Sequence, residues 1–273
     1  MRPLAVLGIL VLAWGAICVW YYSRQETMIF HPSVLPKGHH FVFDRPFTEH
    51  EIEVEPGVTL SALLFPADTV AEGPEERSAV LYLHGNAGDL QSWGYHADLY
   101  TDAGYDFLII DYRGYGKSDG RISSEAQLHA DVQKAWDWLA ARYDPGSIVV
   151  VGYSLGSALG VRVACANGAR QLALLAPFYS GRDIGRRFAP WLPAALNRYQ
   201  LRTDLLLQDC DLPVMLVHGE RDATIRPRAS RRLLALLGDR GRLVLLPEAD
   251  HQSIGEDPLF RVAMRALLLE SGP

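Results

Sequence analysis

Ile148-Val149-Val150-Val151-Gly152-Tyr153-Ser154-Leu155-Gly156 is the stretch that decides the fold. Four consecutive β-branched residues make a run of strand length, apolar enough to be buried on both faces. Ala158 to Ala166 follows at once and reads as a helix. A strand that turns straight into a helix leaves no room for side chains at the turn, and Gly152 and Gly156 remove them. The central residue is forced into a strained conformation, so the Ser154 hydroxyl should stand above the sheet edge at a helix N-terminus. The other role open to a serine at such a turn is a helix cap.

The same punctuation recurs on either side. Ala79–Leu83 ends in His84-Gly85, Phe107–Ile110 in Asp111, Leu172–Ala176 in Pro177, Val214–Val217 in His218-Gly219, and Leu243–Leu246 in Pro247. Helical segments are expected at about 91–103, 124–142, 155–167, 227–237 and 257–270. Ile52-Glu53-Val54-Glu55, Pro56-Gly57 and the extended Val58–Phe65 read as a hairpin, followed by a polar loop over 66–77. Strands alternating with helices predict an α/β fold, a mostly parallel sheet of about eight strands with helices on both faces. Residues 178–212 form the one long connection, which reads either as an ordinary helix with long loops or as a small lid over the carboxyl edge of the sheet.

The 273 residues suit one large α/β domain, and 49% apolar residues supply a sizeable core. A net charge of −6 gives no electrostatic case for nucleic acid as a partner. Cys18, Cys165 and Cys210 lack metal-ligand spacing, and nothing in the sequence decides whether Cys165 and Cys210 pair.

Leu4–Tyr22 carries no charge. Nineteen residues of helix span about 28 Å, close to the roughly 30 Å hydrocarbon core of a bilayer. Trp20, Tyr21 and Tyr22 would form an interfacial belt, and no small-residue pattern marks a clear cleavage site. Residues 1–24 therefore read as a single-pass N-terminal membrane anchor, 25–48 as a linker and 49–273 as the domain. Arg2 and the N-terminal amine against Arg24 slightly favour placing the domain outside the cytosol.

A serine hydroxyl needs a base, and the base needs a carboxylate to fix its tautomer. His251 follows the last run and no histidine lies beyond it. Asp222 lies just past the fifth run; Glu220 is too close to the strand end and Asp250 adjoins His251. His84 and His218 are expected to bond local backbone. Oxyanion donors are expected from the backbone N–H of Leu155 and from the His84–Gly88 loop, with Asn86 first and Ala87 the close alternative.

Taken together, His84-Gly85-Asn86-Ala87-Gly88, Asp111-Tyr112-Arg113-Gly114-Tyr115-Gly116-Lys117-Ser118, Gly152–Gly156 and His218–Asp222 resemble the membrane-anchored α/β-hydrolase-domain proteins of the serine-aminopeptidase-like group. The resemblance spans most of residues 25–270. It implies the α/β-hydrolase fold, a Ser154–Asp222–His251 triad, one N-terminal anchor, and a structural role for Arg113. It further implies a serine hydrolase acting on ester or thioester bonds of small acyl or lipid-like substrates, needing neither metal nor cofactor. An aminopeptidase-like activity and a non-catalytic membrane-bound module are the alternatives. The N-terminal cysteine cluster of the protein-depalmitoylating branch is absent.

Overall fold

The computed structural model describes residues 3–68 and 77–270. Arg2, most of the 66–77 loop and residues 271–273 lie outside them. The strands are β1 (His31–Pro32), β2 (Thr48–Glu55), β3 (Val58–Phe65), β4 (Ser78–Leu83), β5 (Ala87–Gly88), β6 (Tyr105–Ile110), β7 (Ile148–Tyr153), β8 (Gln171–Leu175), β9 (Val214–Gly219) and β10 (Gly241–Leu246). The α-helices are α1 (Pro3–Ile29), α2 (Leu90–Trp93), α3 (Ala97–Thr101), α4 (Glu125–Ala140), α5 (Leu155–Asn167), α6 (Gly181–Phe188), α7 (Thr203–Gln208), α8 (Arg228–Leu237) and α9 (Pro258–Leu269).

Eight strands form one sheet in the order β10-β9-β8-β7-β4-β6-β3-β2. From β10 to β6 the neighbours are parallel. The hairpin adds β3 and β2 antiparallel at one edge. Every residue of β6, β7, β8 and β9 is buried, as their unbroken apolar runs require. Two apolar cores lie on opposite faces of the sheet. One gathers Leu81, Val150, Leu172 and Leu216 with Leu128 and Trp136 of α4 and Leu159 of α5. The other gathers Val80, Val149, Val151 and Met215 with Tyr100 of α3 and Phe260 and Met264 of α9.

Three features differ from the sequence reading or complete it. The helix expected at 91–103 is broken into α2, a 3₁₀ turn and α3. A side chain at Gly94 would collide with the Phe43 ring, so the chain bends there around the packed linker. The N-terminal helix continues past Arg24 to Ile29, because its last turns bond to the domain. Its Gln25 is buried, donating to Leu196 O at 2.7 Å and accepting from Arg198 N at 2.8 Å. Cys165 of α5 is joined to Cys210 by a disulfide.

Candidate active site

β7 is central, flanked by β4 and β8. Ser154 follows it with φ 51° and ψ −109°, the left-handed side of backbone space that side chains disfavour. Ser154 N donates to Leu175 O at 2.8 Å, which holds the turn against β8. The two glycines are obligatory. A Cβ on Gly152 would lie 2.4 Å from Gly156 O, and one on Gly156 would lie 1.9 Å from Leu83 O. Close packing of α5 on β4 and β7 thus creates the strained turn and lifts Ser154 above the sheet.

His251 comes from the loop after β10. Its Nε2 lies 3.1 Å from Ser154 Oγ, and its Nδ1 lies 2.7 Å from Asp222 Oδ2. A carboxylate only accepts, so Nδ1 carries the proton and the Nε2 lone pair faces the serine hydroxyl. The other oxygen of Asp222 accepts from Thr224 N at 2.8 Å and Ile225 N at 2.7 Å. Burial pushes the Asp222 carboxyl up, but hydrogen bonds from His218 and His251, the charge of His251 and the Ile225 amide outweigh it. The group is held well below the usual carboxylate range. Ser154, His251 and Asp222 are thus brought together from three strand ends.

The competitors stand elsewhere. Glu220 faces Arg231 at 3.4 Å. Asp250 accepts from Gln252 N, Ser253 N and Ser253 Oγ, shaping the turn that carries His251. His84 Nδ1 donates to Gly85 O at 2.7 Å, while Nε2 lies 3.5 Å from buried Asp111. His218 Nε2 donates to Ile225 O at 2.7 Å and lies 3.3 Å from Asp222 Oδ2, behind the carboxylate. Arg113 forms a buried pair with Asp131, its Nη2 2.8 Å from Oδ1.

Leu155 is the first residue of α5, so its N–H has no acceptor within the helix. Gly85 sets the His84–Gly88 loop beside Ser154; a Cβ there would sit 3.9 Å from Ser154 Cβ. Asn86 is tied to the N-terminal segment. Its Nδ2 donates to Ile29 O at 2.8 Å, and its carbonyl accepts from His31 N and Tyr115 Oη, each at 2.8 Å. Tyr153 Oη donates to His251 O and its ring packs on Trp93. Arg187 of α6 donates to Thr224 O and Ala223 O, joining α6 to the loop that holds Asp222. Neither contact is assigned from the sequence, where Tyr153 stands only as part of the serine turn and Arg187 only as part of the 178–212 connection. Among the described residues no group of three His, Cys, Asp or Glu is placed to hold a metal ion.

This is a doubly wound α/β protein with a serine, a histidine and an aspartate meeting at the carboxyl edge of its sheet. Residues 78–202 match the family model of the α/β hydrolase fold. An uncharacterized protein of Mycobacterium tuberculosis is 32% identical over 264 residues, covering 92% of this chain and 88% of its own. Protein bem46 of Schizosaccharomyces pombe is 29% identical over 86% of this chain and 81% of its own. A Pyrococcus furiosus esterase structure superposes with a TM-score of 0.64 at 18% identity, covering 88% of this chain and 95% of its own. The chain belongs to the α/β-hydrolase family.

Proposed function

We propose that this protein is a membrane-anchored serine hydrolase that cleaves acyl esters or thioesters through Ser154, His251 and Asp222. The observation that carries the reading is the hydrogen-bonded line from Asp222 through His251 to a strained, nearly buried Ser154. His251 Nε2 takes the hydroxyl proton as Ser154 Oγ bonds to the substrate carbonyl carbon. Asp222 stabilises the resulting imidazolium. The N–H groups of Leu155 and Asn86 receive the oxyanion, each typically worth about 3 kcal/mol. Collapse breaks the bond to the leaving oxygen or sulfur, which departs with the proton from His251. Water, deprotonated by the same histidine, then releases the acid and restores Ser154.

Residues 1–24 act as the anchor and 49–273 as the catalytic domain. The described part of α1 is long and apolar enough to cross a membrane, with its apolar span unburied by the domain. Such a surface calls for lipid around it. Bonds from Gln25 and Tyr21 into the domain favour a retained helix over a cleaved signal. The Cys165–Cys210 disulfide favours an oxidising compartment, and so the non-cytosolic side. Residues 178–212 serve as a lid, which Arg187 fastens to the Asp222 loop.

Hydrolysis of p-nitrophenyl esters of increasing chain length, run beside aminoacyl p-nitroanilides, tests the reading. Ester turnover that disappears in Ser154→Ala supports it. Turnover confined to the anilides would replace it with a peptidase.

A further inference from the structure

We propose that the surface formed by α6 and the turn after it, with Phe188, Trp191, Arg182 and Arg186, docks on the anionic headgroup layer of the same bilayer that α1 enters. The inference rests on the reading of α1 as a membrane anchor. Phe188 and Trp191 are 68% and 56% exposed, large for aromatic side chains three residues apart. Arg182 and Arg186, one turn apart on the same helix, are exposed and have no carboxylate partner among the described residues. Asp183, the acid on this helix, is engaged by Arg232 at 3.0 Å. One short segment thus carries two free guanidinium groups followed by two exposed aromatics, which matches the chemistry of a headgroup layer, apolar just below a negative surface.

The position of α1 says which surface covers them. Its 27 residues extend about 40 Å, some 10 Å more than a hydrocarbon core. With Trp20–Tyr22 at the interface, the excess is the last turns, which are the turns that bond to the domain. Tyr21 Oη donates to Asn197 Oδ1 at 2.7 Å, Gln25 bonds Leu196 O, and Tyr199 Oη donates to Glu26 at 2.8 Å. Gly185 of α6 packs on Asn197, where a Cβ would meet Nδ2 at 2.5 Å. The residue bonded to the interfacial tyrosine is therefore the residue against which α6 rests. The middle of α6, one turn from Phe188, therefore lies close to the level where α1 leaves the bilayer. Arg187 then links this docked helix to the Asp222 loop, so an acyl substrate would meet Ser154 from the lipid side.

The test uses the full chain in lipid nanodiscs, on a Cys18→Ser background. A fluorophore is placed through Trp191→Cys or, as control, through Asp239→Cys, in the exposed turn at the opposite, amino edge of the sheet. The expected result is several-fold stronger quenching at 191 than at 239 by nitroxide-headgroup lipids, with weaker quenching by iodide. Replacing phosphatidylcholine by phosphatidylglycerol should strengthen the lipid quenching at 191, and Arg182→Gln with Arg186→Gln should abolish that gain. Two such arginines correspond to a roughly thirty-fold preference for the anionic surface. Equal iodide access at 191 and 239, in protein that stays in the discs, overturns the docking and leaves the anchor standing. Protein that fails to stay in the discs overturns the anchor itself.

Discussion

The side-chain amide of Asn86 donates to the carbonyl oxygen of Ile29 at 2.8 Å, so the last turn of α1 is bonded directly to the loop beside Ser154. The helix end and the candidate oxyanion loop are one hydrogen-bonded unit. Asn86→Ala keeps the backbone N–H but breaks this tie. A lost hydrogen bond of about 1 kcal/mol predicts a fall in ester kcat of roughly ten-fold at most. Steady-state kinetics on one soluble ester checks it; a loss of three orders of magnitude would show that the side chain itself does chemistry.

Asp222→Asn should leave the fold intact and lower kcat by about 10⁴-fold, because an amide favours the wrong histidine tautomer. Circular dichroism beside kinetics separates this from unfolding. Full activity in Asp222→Asn would hand the acid's role to another carboxylate.

The same residue predicts an acid limb in stability. The folded carboxyl is held below its unfolded value, despite burial, by His218, His251 and the Ile225 amide. Its contribution is present above the ordinary carboxylate pKa and is lost as pH falls below about 5 towards the depressed value. Urea midpoints between pH 7 and pH 3 should therefore fall less steeply for Asp222→Asn than for the wild type. Parallel curves would contradict the assignment.

Gly156→Ala places a Cβ 1.9 Å from the backbone oxygen of Leu83, which cannot swing away. A loss above about 4 kcal/mol, or no folded protein, is expected. Gly168→Ala, with open space but φ 68°, should cost only about 1–2 kcal/mol. Chemical denaturation compares them.

The disulfide closes a separation of 45 residues, and chain entropy assigns it about 4 kcal/mol. Denatured, unreduced protein recovered from cells should show one reactive thiol, Cys18, rising to three on reduction. Three thiols before reduction would place the domain in a reducing compartment.

Much of this architecture was legible because its signals are local. The apolar runs Ala79–Leu83, Ile148–Val151 and Val214–Val217 announce buried strands, and the glycines around Ser154 announce the turn. The positions of Asp222 and His251 followed from chain order. What escaped lies between residues distant in sequence. The bonds of Tyr21 to Asn197 and of Arg187 to Thr224 join partners 176 and 37 residues apart, and no periodicity encodes such a meeting. The pairing of Cys165 with Cys210 became readable only once α5 and the segment after α7 were neighbours. The anchor is expected to end at Arg24, the charge that closes the apolar run Leu4–Tyr22; the bonds of Gln25 to Leu196 and Arg198 and of Tyr199 to Glu26 explain why the helix continues.

The most direct test of the central claim is intact-mass and peptide analysis after a fluorophosphonate probe is added to the detergent-solubilised protein. One adduct, on Ser154 and absent in Ser154→Ala, is the expected result. A folded wild-type sample that takes no adduct, or equal labelling of Ser154→Ala, would contradict it.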